Sequence, residues 1–184
     1  MYGFLLVQTF YWLALATWFG GVLFVAMTAP VIFRVVRESN PILPHVLSVN
    51  LESEHGSLLA GSIVGAILQT LGQAQFFCAG IMSIMLVGQW ILMDHTWMQI
   101  TMGVLRSVLF IAAVAMVSYD RWFVWPKAWS ARQEYIDHAD EPEVANPAKD
   151  RFDQHHRESV RVLFIVLVLL SLIIVFSAAV TPRW

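Results

Sequence analysis

Arg106 is the residue most at odds with its surroundings. It stands in an apolar run that starts at Trp97 and meets no other Asp, Glu, Lys or Arg before Asp120. Lying nine residues after Trp97, it would sit roughly 13 Å along a helix that rises about 1.5 Å per residue. A charge that deep in a bilayer costs about 2.5–3.5 kcal/mol on insertion scales, so something must offset it. No Asp or Glu falls in the apolar core of any other long run, and an intramembrane ion pair is not readable from the chain. Gln99, Gly103 and Arg106 share a helix face at i, i+4 and i+7, where Gln73, Gln75 or Gln89 of another helix could meet them. One reading is a polar face, with Arg106, Gln99 and Gln73 as binding residues, that takes an anion, a lipid headgroup or a substrate. The other is a structural arginine held by glutamines and backbone carbonyls, or one that snorkels to the interface.

A second constellation concerns metal. Glu52-Ser53-Glu54-His55 and Asp153-Gln154-His155-His156 each place a carboxylate three residues before a histidine. Residues i and i+3 of a helix share a face, so Glu52 with His55 and Asp153 with His156 can each offer an oxygen and an imidazole to a divalent metal. Carboxylate-x-x-His from two helices also occurs in di-iron bundles, but the additional bridging carboxylates of such sites are not apparent here. The alternative is an ordinary solvated charge ladder through Asp153, Arg157 and Arg161. Met82, Met85, Met93, Met98 and Met102 can be read as soft copper ligands or as packing. Cys78, the one cysteine, reads as a small buried hydrophobe and excludes an internal disulfide. Ser57, Ser107 and Ser159 lack the context of an activated nucleophile, and no Gly-rich phosphate loop follows a strand.

These residues need elements to hold them, and the elements read as membrane helices. Of 184 residues, 58% are hydrophobic and 13% charged, against roughly 25% charged in soluble domains. About 20 apolar residues cross a hydrocarbon core, and inside it the backbone must bond to itself, which makes such runs helical. The expected fold is an all-α integral membrane protein, a bundle of four transmembrane helices in one domain over residues 1–184. The spans fall at about 4–31, 73–93, 97–121 and 159–181, with connections at about 34–56 and 126–157. The first is read as a retained helix: Met1-Tyr2-Gly3 carries no Lys or Arg, and the apolar run is too long for a signal peptide. Pro30 is expected to end or kink it.

The stretch 57–93 is too long for one crossing, and its middle, Gln69 to Gln75, is polar. It reads as an amphipathic lead-in helix at about 51–72, interfacial or inserted, running into the second span. The connection 126–157 reads as a loop with one short helix around 127–138. Gly20 and Gly21 in helix 1, and Gly61 and Gly65 in the lead-in, are the expected helix-packing points, because small residues let backbones approach closely in lipid. Arg34 and Arg37 lie in the first connection. Arg121, Lys127, Arg132, Lys149, Arg151, Arg157 and Arg161 lie in or beside the third, and the opposite side has Arg183. By the positive-inside rule both connections are cytoplasmic and both termini are on the non-cytoplasmic side of the plasma (inner) membrane. The apolar composition points to the lipid bilayer as partner, and a net charge of −2 to no nucleic acid.

Four stretches together resemble the transmembrane protein 205-like family, a domain of unknown function. They are Trp18-Phe19-Gly20-Gly21 followed by Ala29-Pro30-x-x-Phe33-Arg34; Gly56-x-x-x-Ala60-Gly61-x-x-x-Gly65; Pro126 with Arg132; and Phe152-x-x-x-His156-Arg157-x-Ser159. The resemblance implies a four-helix integral membrane protein and supplies no reaction. That family is distantly similar to copper-resistance D membrane proteins and to haem-dependent protoporphyrinogen oxidases. The functional expectation is therefore a non-enzymatic membrane protein. It would be an accessory or assembly subunit, or handle a small solute or metal, as a homo-oligomer or within a larger complex. The alternative is a membrane oxidoreductase that depends on a divalent metal or haem, although no histidine lies in the spans expected for helices 1, 3 and 4.

Overall fold

The structure is a computed structural model that describes residues 2–42, 55–92 and 96–180. Among these residues all regular structure is helical: α1 (Tyr2–Glu38), α2 (His55–Leu92), α3 (Trp97–Tyr119), α4 (Trp125–Asp137) and α5 (Pro142–Val180). A π-helical turn, Asp120–Val124, joins α3 to α4 without a break. Four helical runs, of 37, 38, 41 and 37 residues, are long and apolar enough to cross a membrane. The distribution of side chains supports the same environment. Leu6, Phe10 and Leu13 of α1, Phe77 and Ile84 of α2, Val108 and Ile111 of α3, and Phe164 and Val175 of α5 are all exposed, whereas Gln75, Gln89, Arg106 and Ser177 are buried. Apolar side chains outward on every helix and polar ones inward is the arrangement a hydrocarbon solvent stabilises.

The helices differ from the expected spans at three places. Pro30 does not end α1, which continues to Glu38. A proline removes one backbone donor, and the turns on either side keep theirs. The lead-in and the second span form one uninterrupted helix of 38 residues from His55. The polar stretch Gln69 to Gln75 changes which side chains face lipid, but glutamine is a good helix former and does not interrupt the backbone. Finally, α5 starts at Pro142, so the second half of the expected 126–157 loop is helical. Pro142 occupies the first helical position, where its missing N–H is no loss.

The chain divides into two compact units, with α1, α2 and α5 contributing to both. The first unit comprises Met1–Leu23, Leu71–Ser118 and Leu163–Trp184. Its interior is built from Tyr11, Leu15, Trp18 and Val22 of α1, Met82 and Leu86 of α2, Phe110 and Ala113 of α3, and Val166, Leu170 and Ile173 of α5. Each helix contributes a segment of about 20 residues, which matches the thickness of a hydrocarbon core.

The second unit comprises Phe24–Thr70 and Tyr119–Val162. Here α1 and α2 approach so closely that a Cβ on Gly56 would stand 3.1 Å from Arg37 Cα. Arg37 Nε also donates to Ser57 Oγ at 3.2 Å. Arg132, buried on α4, ties that helix to α2 by donating from Nη2 to Leu58 O at 3.0 Å and to Ser62 Oγ at 2.8 Å. Trp125 and Trp129 stack at 6.2 Å over Gly65, whose missing Cβ would lie 3.8 and 3.9 Å from the two indoles. Leu58 and Ala139 bury each other under Tyr135 and Ile136.

Candidate functional site

In the first unit the helices converge on Arg106, which is 1% exposed. The face of α3 that points inward carries Gly103, Arg106, Phe110, Ala113 and Val117, a helical stripe in which the arginine is the one polar member. Its guanidinium carbon lies 5.1 Å from the centre of the Tyr11 ring. The Tyr11 hydroxyl shares a 2.7 Å hydrogen bond with Ser177 Oγ of α5. Arg106 Nε, Nη1 and Nη2 are buried and have no hydrogen-bond partner among the described residues. A buried donor left unmatched costs about 1–3 kcal/mol, and more when it carries charge. The Tyr11 ring recovers about 0.5–2 kcal/mol of this by cation–π attraction.

The two sides of Arg106 differ in chemistry. Toward the start of α1, Gln89 Nε2 donates to Gln8 Oε1 at 2.7 Å, one helical turn before Tyr11. Trp90 Nε1 of α2 donates to Ser107 Oγ of α3 at 3.3 Å, and Ser107 Oγ donates to Gly103 O at 2.8 Å. Toward the other end Trp18 packs against Phe110 edge to face at 6.3 Å, and the buried Gln75 lies beyond them. Arg106 therefore stands at the end of a short polar track.

The sequence-predicted partners separate. Gln99 is engaged at the start of α3, where its N donates to Thr96 Oγ1 at 3.4 Å and its Oε1 accepts from Thr96 N at 3.4 Å and from Thr96 Oγ1 at 2.9 Å. This reciprocal pair is a capping box, which satisfies orphan donors of the first turn. Gln73 is exposed, while Gln75 and Gln89 point inward. Tyr11, Gln8 and Ser177 complete the centre and were not expected. A lone glutamine within the apolar run 4–31 was the one available signal for Gln8.

The other candidate residues lie elsewhere. Glu52 is outside the described residues. His55 is buried at the start of α2. On α5, His156 stacks on Phe152 with ring centres 5.8 Å apart, and His155 Nδ1 faces Glu158 at 3.6 Å. Among the described residues no three His, Cys, Asp or Glu side chains gather to hold a metal. An open cleft of about 360 Å³ in the second unit is lined by Lys127, Ser130, Glu134, Arg151 and His155. Two of its side chains already face carboxylates: Arg151 donates to Glu134 at 2.7 Å, and His155 stands against Glu158, which accepts from the Tyr119 hydroxyl at 2.6 Å.

Of the four packing glycines, Gly21 lies 3.1 Å from Leu71 Cδ1, counted from its absent Cβ, and Gly65 meets the two indoles. Gly20 and Gly61 have nothing within 4 Å. Comparison with protein-family models, curated proteins and solved structures finds no match to this chain.

Proposed function

We propose that this chain is a small, non-enzymatic membrane protein of the plasma (inner) membrane that holds a small solute at an intramembrane centre built on Arg106. The observation that carries this reading is the buried guanidinium with all three nitrogens unmatched. Such a group is stabilised by a ligand that supplies acceptors, and a bare structural role leaves its cost uncovered. The polar track of Gln8, Gln89, Trp90 and Ser107 on one side is suited to admitting a polar group. Both termini on the non-cytoplasmic side, as the distribution of Lys and Arg suggests, would open that track outward. Four helices enclose little volume, so transport as distinct from binding would call for a homo-oligomer or a partner protein. The resemblance to the transmembrane protein 205-like family accords with this architecture and adds no activity.

The divalent-metal form of the oxidoreductase reading has less support, since the described residues bring no three metal-ligating side chains together. Native mass spectrometry of protein extracted in mild detergent tests the solute reading. Wild type should retain a small molecule that Arg106→Gln loses at equal folded yield. An identical set of bound species on both proteins would overturn it.

A further inference from the structure

We propose that the group held at Arg106 is an oxyanion, a carboxylate or a phosphate, and this rests on the solute reading above. Two independent features of the first unit define the class. The first is charge. Among its described residues, Arg106 is the one Asp, Glu, Lys, Arg or His. No carboxylate among the described residues of this unit balances it, so a single negative charge on the ligand neutralises the guanidinium. A neutral or cationic solute would leave the arginine uncompensated, and in a low-dielectric interior that difference is large.

The second feature is the sense of the unmatched hydrogen bonds. Among the described residues, the buried polar atoms without a partner around Arg106 and the Gln8–Gln89 pair are Arg106 Nε, Nη1 and Nη2 and Gln8 Nε2, against a single acceptor, Gln89 Oε1; Trp18 Nε1 and Gln75 Nε2, also unmatched, lie toward the other end of the unit. Exchanging N and O in the Gln8–Gln89 pair leaves one amide donor and one amide acceptor unmatched, so the excess of donors stands. A donor-rich interior selects a ligand that is all acceptor. Carboxylate and phosphate are such groups, and their paired oxygens fit the fork of a guanidinium with two parallel bonds.

The geometry gives the ligand a direction. Tyr11 covers the guanidinium with its ring, and its hydroxyl is engaged by Ser177. Trp18 and Phe110 close the opposite side. The Gln8–Gln89 pair lies one turn nearer the start of α1. An oxyanion that comes along this track meets an amide donor first and the guanidinium at its end.

Thermal unfolding of the full chain in mild detergent tests the class with defined probes. Benzoate and its neutral isostere benzamide are titrated side by side, with inorganic phosphate as a third probe. Nanodiscs of phosphatidylglycerol against phosphatidylcholine form a fourth arm. The expected result is a concentration-dependent rise in the unfolding midpoint with benzoate, phosphate or phosphatidylglycerol, and none with benzamide or phosphatidylcholine. A response to the free anions identifies a soluble source, and a response to phosphatidylglycerol alone identifies a headgroup; either supports the class. Arg106→Gln should weaken binding about 10- to 100-fold, the loss expected for charged hydrogen bonds. Arg106→Lys, which keeps the charge and loses the fork, should weaken it about tenfold and guards against a Gln variant that does not fold. Equal, Arg106-dependent stabilisation by benzamide and benzoate overturns the oxyanion class while the solute reading stands. No response to any anion, or a response undiminished in both variants, also overturns it, and the species co-extracted with wild type then decide the solute reading separately.

Discussion

Replacing Arg106 with leucine should stabilise the ligand-free protein, an unusual direction for a change at a fully buried site. Arginine at the centre of a membrane helix costs about 2.5–3.5 kcal/mol, and leucine contributes about −0.3 to −0.6, a difference of about 3–4 kcal/mol. Two losses oppose it. The contact between the guanidinium and the Tyr11 ring is worth about 0.5–2 kcal/mol. The smaller leucine leaves unfilled space, at a cost of about 1 kcal/mol. No well-formed hydrogen bond is subtracted, since Nε, Nη1 and Nη2 make none among the described residues, and the attraction between the guanidinium and the Tyr11 hydroxyl is counted with the Tyr11 contact. The net expectation is a gain of about 1–2 kcal/mol. Reversible unfolding in mixed anionic and non-ionic micelles measures it, with the fluorescence of the eight tryptophans as signal. Addition of a bound oxyanion should reverse the order, because wild type gains from it and Arg106→Leu does not. A loss of more than about 1 kcal/mol in the ligand-free variant would refute the reasoning, because it would mean that the fold itself satisfies the arginine.

Further outcomes follow from the packing. Gly56→Ala should cost about 1–3 kcal/mol by forcing a methyl against Arg37 Cα, whereas Gly61→Ala, with open space around it, should be neutral or gain up to about 1 kcal/mol from helix propensity; the two unfolding midpoints compared in one detergent check this. Arg132→Met should lose about 1–3 kcal/mol with the bonds to Leu58 O and Ser62 Oγ, and hydrogen exchange should localise the loosening to α4. Thr96→Ala should cost about 0.5–2 kcal/mol through the capping box of α3 and leave anion binding at Arg106 unchanged; a fall in affinity would return Gln99 to the site. His55→Ala and His156→Ala should leave metal content measured by elemental analysis the same as wild type, and a stoichiometric metal lost in both would revive the redox reading.

Much of the architecture was legible along the chain. Uncharged runs of more than 20 residues announce helices because a bilayer leaves the backbone no other way to satisfy itself. Arg106 was legible for a related reason: a charge in an apolar run is anomalous on composition alone. Its neighbours were less so. Helical periodicity places Gln99 on the Arg106 face, but in the first turn the orphan N–H groups compete for that side chain and the local cap wins. Gln73 and Gln75 differ by two positions and point to opposite sides of α2, so naming the buried one requires knowing which face meets the other helices.

The sequence by itself determined that this is a helical membrane protein with one charge deep in its third apolar run. That followed from local quantities: the length of a run, its hydropathy, and the cost of burying a charge. Only the tertiary structure decided what surrounds that charge. Tyr11 and Ser177 are 166 residues apart and meet at 2.7 Å because α1 and α5 pack in one register. Likewise, Gly56 is crowded and Gly61 is open because of where α1 passes α2. Such contacts depend on the rotation and height of each helix against the others, set by the packing of the whole interior at once and by no single stretch of chain.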